Sequence, residues 1–418
     1  LAATLQYQTD VKQSASDVED APATMFEAHA IYQVNEQHGI PCRIYSPIGQ
    51  HSELLPYLVR RLIENGANSS FVFQVQDPQV PIHTLTDHPA DVLINSSILN
   101  PNVPLPCEIL VDYPNSLGSE IQHDSFYYQL MDKITPFQQE QYQCCAIING
   151  QKQIDGEAKD ILSPVDQQVI GQCYYSTPMT LQACIKTLNE KPLAFQGFEE
   201  INHTIDSIAD QLNEHRHELM FLCMQEAGKN LQSAIDEIRE AQDFCRYYSR
   251  QAQKNFASST ILDSVTGEEN LLKYRPRGTV LCISPWNFPL AIFVGQVCAA
   301  LACGNRVVAK PAQQTSIIAM RVIEIILEAG VDPSLIYFMP GSGATITQGL
   351  LENKLIDMVC FTGSTKAAKQ IQKWLCEYNQ MFIPLLAETG GQNVMFADST
   401  SLIEQLVPDV IESAFDSC

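Results

Sequence analysis

Cys282-Ile-Ser-Pro-Trp-Asn-Phe-Pro-Leu290 grows out of a short apolar run, Val280-Leu-Cys-Ile283, and this stretch decides the reading of the chain. A few apolar residues bounded by a turn read as a buried strand, and Pro285 and Pro289 stiffen the turn between them. An Asn amide held with little entropy to lose suits a developing oxyanion; the plainer reading is that Asn287 satisfies its own turn. Further along, strand and helix patterns alternate. Asn305-Arg-Val-Val-Ala309, Leu335-Ile-Tyr-Phe-Met339 and Met358-Val-Cys-Phe361 read as strands, and 317–329 as a helix closed by Gly330. Such alternation predicts a parallel sheet covered on both faces, with ligands held where strand ends meet glycine-rich turns.

Five short motifs follow one another in order: Ser284-Pro-Trp-Asn-Phe-Pro289, Lys310-Pro-Ala-Gln-Gln-Thr315, Met339-Pro-Gly-Ser-Gly343, Phe361-Thr-Gly-Ser-Thr365 and Ala387-Glu-Thr-Gly-Gly391. Each alone is weak, but the ordered set resembles the aldehyde dehydrogenase superfamily. The resemblance implies an α/β fold with an aldehyde dehydrogenase-like doubly wound parallel sheet of Rossmann type, and NAD as cofactor. It assigns catalysis to Asn287 and Glu388. It assigns cofactor binding to Ile283, Ser284, Pro285, Trp286, Lys310, Ala312, Gln313, Gly341, Phe361, Thr362, Gly363, Ser364 and Gly390.

The residue types suit these roles. The Lys310 ammonium can donate to ribose hydroxyls, although a Lys beside a Pro is otherwise a solvated loop charge. Backbone N–H groups at a strand-to-helix turn, with the Ser364 hydroxyl, can cradle a pyrophosphate, and Gly363 removes a Cβ that would block the approach. Glu388 lies between the apolar stretch 383–387 and two glycines, where burial is expected to raise its pKa and keep it ready as the base that hydrolyses a thioester. Gln313 stands where the family commonly has Glu, which weakens rejection of a 2′-phosphate while leaving NAD favoured. In this superfamily a cysteine thiolate attacks the aldehyde, about 34 residues beyond the catalytic Glu, so Cys418 is not expected to be that nucleophile. Cys298 and Cys303 read as core residues of an apolar helix.

The N-terminal part narrows the resemblance. Ile40-Pro-Cys-Arg-Ile-Tyr-Ser-Pro-Ile-Gly49 reads as a strand and turn, and Leu54, Leu55, Leu58, Leu62 and Ile63 make a helical stripe after Ser52. Cys42-Arg-Ile-Tyr-Ser-Pro and Tyr57-Leu-Val-Arg-Arg-Leu-Ile-Glu64 resemble the last strand-helix unit of a proline dehydrogenase (β/α)8 barrel. The resemblance gives Tyr57, Arg60 and Arg61 to a proline carboxylate and places Glu64 near FAD; without it the helix is a basic surface. A proline dehydrogenase piece joined to an aldehyde dehydrogenase resembles the proline utilization A family, as do Ala227-Gly-Lys229 and Glu237-Ile-Arg-Glu-Ala-Gln-Asp-Phe-Cys-Arg-Tyr-Tyr248. The implied activity is proline catabolism: proline oxidised with FAD, then L-glutamate γ-semialdehyde oxidised to glutamate with NAD. Seven further barrel units cannot be supplied before Ile40, so FAD is expected only in the parent enzyme. Residues 1–39 stay unassigned, 40–73 are the barrel remnant, 74–156 a proline-rich connecting segment, and 157–418 the dehydrogenase domain, ending before its nucleophile. The chain reads as a fragment, inactive alone.

Bulk properties agree with this picture. The 418 residues carry 48 acidic and 25 basic side chains, a formal net charge of −23, which disfavours a nucleic-acid partner while permitting a small anionic substrate in a local basic pocket. Fourteen scattered cysteines read as reduced thiols in the cytoplasm, and no metal site is expected. No leader-like start is present, and the apolar run 290–303 is too short to span a bilayer. A homo-oligomer is expected, and peripheral membrane contact is allowed for the parent. Two alternatives stay open: a non-catalytic scaffold, against which Asn287, Lys310 and Glu388 speak, and a semialdehyde dehydrogenase outside proline metabolism, against which 57–71 speaks.

Overall fold

The computed structural model describes residues 50–66, 70, 71, 74, 77–95, 100, 102–193, 195, 197–378 and 382–416. Two compact units divide the chain, Leu1–Pro101 and Asn102–Cys418. In the first, α1 (His51–Gly66) precedes two short helices, α2 (Ile82–Thr86) and α3 (Pro89–Asn95). The stripe read at 54–63 is thus helical. The strand expected at 40–49 lies outside the described residues, as do residues 1–39.

The second unit opens with α4 (Asp124–Ile134), followed by β1 (Tyr142–Cys144), β2 (Ala146–Ile148), β3 (Gln151–Gln153), β4 (Ala158–Leu162) and β5 (Val169–Tyr174). Four helices follow: α5 (Pro178–Glu190), α6 (Phe198–Glu214), α7 (Arg216–Glu226) and α8 (Leu231–Phe256). After a hairpin of β6 (Thr260–Leu262) and β7 (Asn270–Leu272), the alternating part begins. It runs β8 (Thr279–Ile283), α9 (Ala291–Ala302), β9 (Arg306–Lys310), α10 (Ser316–Glu328), β10 (Ile336–Phe338), α11 (Gly343–Glu352), β11 (Met358–Gly363), α12 (Thr365–Tyr378), β12 (Leu385–Thr389) and α13 (Ile403–Phe415).

These strands form one sheet in the order β12-β11-β8-β9-β10-β2-β3. From β12 to β10 every pairing is parallel; β2 and β3 extend the far edge antiparallel. The chain lays β8, β9 and β10 outward, then returns to place β11 and β12 on the other side of β8. That is a doubly wound sheet, and its winding reverses between β8 and β11, where the carboxyl ends of the strands leave a crevice.

Burial on both faces explains the apolar runs. Val280, Cys282, Val307, Ala309, Ile336 and Phe338 pack into one core with α6 to α10, whereas Leu281, Ile283, Val308, Tyr337 and Met339 pack into a second with α5, α11 and α12. Alternate side chains go to opposite faces, as the pleat requires, so a strand covered twice has no polar side. Turn chemistry closes the units: Gly304 follows α9 at φ +75°, and a Cβ there would lie 2.5 Å from the Phe195 ring.

The connecting segment expected over 74–156 is corrected in part. It carries α2, α3 and α4, and its last stretch already belongs to the sheet, with Ile147 of β2 paired to Phe338 of β10. Ser116 is fixed to α8 as well: its N–H and hydroxyl donate to Asp243 at 2.8 and 2.9 Å. The prolines interrupt elements in this region without making it extended. Three-residue strands give too short a pattern to read from the sequence.

Candidate active site

Strand register gathers the motifs. Ile283 lies opposite Lys310 on one side and Phe361 on the other, Phe338 lies opposite Ala309, and Phe361 and Thr362 lie opposite Ala387 and Glu388. All five motifs therefore leave the same edge of five adjacent parallel strands. Ile283 is buried at the end of β8, with Pro285 half-buried and Trp286 exposed beyond it.

Lys310 is only 5% exposed, and its ammonium donates to the Pro311 carbonyl at 2.6 Å. Burial pulls its pKa down to about 8. A Cβ on Gly343 would stand 3.5 Å from the Lys310 Nζ, so the ammonium lies against the first turn of α11, where the helix dipole also disfavours a cation. Around this point several buried hydroxyls have no hydrogen-bond partner: Ser284 Oγ after β8, Thr315 Oγ1 after β9, and Ser176 Oγ after β5. Each such orphan costs about 1–3 kcal/mol, so a ligand rich in hydroxyls and oxygens fits the place. A cleft of about 490 Å³ opens here, lined by Tyr175, Glu226, Trp286, Gln313 and Thr315 among others. Ala312 is buried behind it, and Gln313 is exposed at its mouth, with its carbonyl accepting from the Tyr175 hydroxyl at 3.2 Å. Gly341 sits at φ +140°, and a Cβ there would lie 3.3 Å from Ile346 and 3.4 Å from the Ser176 nitrogen. A larger hollow of about 860 Å³, around Phe198, His203 and Gly330, contains no motif residue.

At the β11 turn, the Ser364 hydroxyl accepts from the Ala367 N–H at 3.2 Å. Its lone pair thus caps α12, leaving the hydroxyl proton and the backbone amides for a ligand. At Gly363 a Cβ would first strike the Phe361 ring at 2.8 Å, so this glycine serves packing within the motif as well as approach from outside. Gly390, just past β12, is exposed.

Asn287 is half-buried, and its turn is held from below. Glu237 of α8, 1% exposed, accepts from the N–H groups of Leu290 and Ala291 at 2.8 and 3.1 Å. Its other oxygen stands 3.1 Å from the Lys229 ammonium, which lies 4.1 Å from the centre of the Phe288 ring. Across the crevice, Gln296 of α9 donates to Thr362 at 2.9 Å, tying the helix after the first motif to the fourth motif.

Glu388 departs from expectation. It is exposed, on a strand that pairs on one side only, with β11, so the burial expected to raise its pKa is not found. The apolar stretch before it does not help, because Leu386 and Ala387 are exposed too. In the first unit, Arg61 forms a 2.6 Å ion pair with Glu64 and lies 5.5 Å from the centre of the Tyr57 ring. Arg60 is exposed beside them. Three of the four residues assigned to proline and flavin thus share one helix face, with Arg61 and Glu64 engaged with each other.

Sequence reasoning missed Glu226, Glu237 and Gln296 as parts of the site, and gave Lys229 no role. A signal was present: Glu237 shares a face with Ala234, Ile238, Ala241 and Cys245, all buried, and an acid on an apolar stripe needs a reason. Among the described residues no cluster of three or more His, Cys, Asp or Glu could hold a metal ion, and no helix is long and apolar enough to cross a membrane.

Such a doubly wound sheet with five motif turns on one edge is matched by a known family profile. The aldehyde dehydrogenase family matches residues 151–417, well over half of the chain, and the chain belongs to that family. A proline dehydrogenase profile matches residues 25–74. Within this setting the chain is 38% identical over 391 residues to the bifunctional protein PutA of Salmonella typhimurium, covering 90% of this chain and 29% of that protein. A variant of proline utilization A from Bradyrhizobium japonicum superposes with a TM-score of 0.76 at 37% identity, covering 92% of this chain and 36% of that one. A 1-pyrroline-5-carboxylate dehydrogenase from Thermus with bound NAD superposes with a TM-score of 0.61 at 27% identity, covering 68% of this chain and 56% of that one. The chain thus spans less than a third of the length of that Salmonella protein.

Proposed function

We propose that this chain carries the dinucleotide-binding part of a dehydrogenase that oxidises L-glutamate γ-semialdehyde to glutamate with NAD, in an enzyme whose proline dehydrogenase portion oxidises proline with FAD. The observation that supports the reading best is the row of five motif turns along one sheet edge, beside buried hydroxyls that lack partners. Those hydroxyls and the Lys310 ammonium suit the ribose and phosphate oxygens of NAD, which supplies a hydride acceptor when bound.

In this reading Lys310 and Gln313 hold the adenosine ribose, and backbone amides after Gly363 meet the pyrophosphate. The Asn287 amide donates to the aldehyde oxygen as negative charge gathers on it. Glu388, exposed in the described structure, takes a proton from the water that cleaves the thioester. Neither Cys282 of β8 nor Cys223 of α7 suits the role of attacking thiolate: hydrogen bonding with Cys360 and burial push the Cys282 thiol up, and burial pushes the Cys223 thiol up, the opposite of what a nucleophile needs. Tyr57, Arg60 and Arg61 are proposed to serve the proline carboxylate and Glu64 the flavin, after the internal pair of Arg61 with Glu64 opens. Small-molecule substrates, a homo-oligomeric enzyme and a cytoplasmic setting belong to the same proposal.

The test is direct. The full-length gene product is given glutamate semialdehyde and NAD while reduced dinucleotide is followed by absorbance, with succinate semialdehyde and acetaldehyde as competitors. Preference for glutamate semialdehyde in kcat/KM is expected. Equal or better turnover of either competitor would remove the substrate assignment.

A further inference from the structure

We propose that the buried Lys229–Glu237 pair is a positioning device for the Asn287 turn, setting where that amide meets the aldehyde oxygen; this rests on the dehydrogenase reading. The pair sits in the core, with side chains 1% and 0% exposed. Glu237 reaches from α8 to cap α9, whose own N-cap position, Leu290, offers no side-chain acceptor. Lys229 holds the second Glu237 oxygen and lies against the face of Phe288, the residue after Asn287. The two side chains thus grip the turn at Phe288, Leu290 and Ala291, all within four residues of Asn287.

Helix capping alone does not account for this arrangement. A Ser or Thr at the N-cap does that work without burying a charge, and a buried ion pair is often no more stabilising than apolar side chains of the same volume. What the pair adds is a fixed direction: a carboxylate bound on both oxygens and an ammonium resting on a ring leave the turn little freedom. Preorganised donors act in catalysis because they need no reorganisation when charge develops, and small misplacements are costly.

A comparison lies on the same hairpin. Glu226, at the end of α7, accepts from the N–H groups of Ile317 and Ile318, both at 2.8 Å, at the start of α10. That helix follows the Lys310 motif, on the cofactor side. The segment from Glu226 to Glu237 therefore underpins two motif turns, and Lys229 completes the one that carries Asn287.

The experiment uses the full-length enzyme with Lys229→Met, Asn287→Ala, their combination, and the pair Lys229→Met/Glu237→Gln. The last keeps an acceptor for the α9 amides and leaves no lone buried charge, so it folds even where the single variant does not. Both Lys229 variants are expected to lower kcat about 10- to 100-fold, with the dissociation constant for NAD within about twofold of wild type. Adding Lys229→Met to Asn287→Ala should cost little more, because the lysine acts through that amide. Wild-type kcat in the paired variant, or full additivity with Asn287→Ala, overturns the proposal. Amide hydrogen exchange over 284–291 tests the turn without turnover: faster exchange in the paired variant is expected, and unchanged exchange refutes the device. A wild-type enzyme unable to oxidise the semialdehyde would sink the functional reading instead.

Discussion

Replacing Lys310 with Met is expected to stabilise the protein while weakening its hold on NAD. Lys310 is 5% exposed, and burial brings its pKa to about 8. The unfolded value is about 10.4, so the unfolded chain binds more protons between about pH 8 and 10.4. Stability conferred by the wild-type residue therefore rises with pH across that window, and the full penalty is present below it. A gap of more than two pH units is worth about 3 kcal/mol at pH 7. The 2.6 Å hydrogen bond to Pro311 recovers part of this, leaving Met, unbranched and similar in length, ahead by about 1–3 kcal/mol. Unfolding entropy for a unit of about 300 residues is roughly 0.6 kcal/mol per kelvin, so Tm should rise by about 2–5 °C at pH 7. The two curves should converge toward pH 10.4. Loss of a charged hydrogen bond to ribose should weaken NAD binding about tenfold or more. Calorimetry at pH 7, 8.5 and 10, with titration of NAD, reads both effects. A Met variant less stable than wild type at pH 7, or one that binds NAD equally well, would refute the reasoning.

Three further outcomes follow from the same structure. Gln313→Glu in the full-length enzyme should raise the NAD to NADP ratio of kcat/KM about tenfold, since a carboxylate accepts from ribose and repels a 2′-phosphate; steady-state kinetics with both cofactors measures it, and an unchanged ratio means Gln313 does not face the ribose. Gly341→Ala should cost about 1–3 kcal/mol in urea denaturation and reduce NAD affinity, because φ +140° disfavours any Cβ and the space beside Ile346 is tight. Glu226 is held at a pKa of about 8 by burial, against the backbone hydrogen bonds that lower it. The folded state then binds more protons between about pH 4.3 and 8, so wild-type stability should fall as pH rises through that window. Glu226→Gln should flatten this fall, and parallel urea midpoints from pH 5 to 8.5 would show that Glu226 does not titrate there.

By itself the sequence determined the alternating part of this chain. The strands β8 to β11 are buried on both faces over most of their length, so their apolar runs are dense, and each ends in a turn whose prolines or glycines fix local geometry. Signals of that kind are contained within a few consecutive residues. The motif order was legible for the same reason. Tertiary structure alone decided what depends on distant partners. The three-residue strands at 142–153 carry almost no periodicity, and their edges are completed by strands elsewhere in the chain, β5 beside β1 and β10 beside β2. Glu388 follows an apolar stretch, yet exposure is set by what packs over β12 and not by the letters beside it. Lys229 and Glu237 read as ordinary charges near a helix start; their meaning comes from α9, over fifty residues away, whose unpaired amides need an acceptor that its own N-cap does not provide.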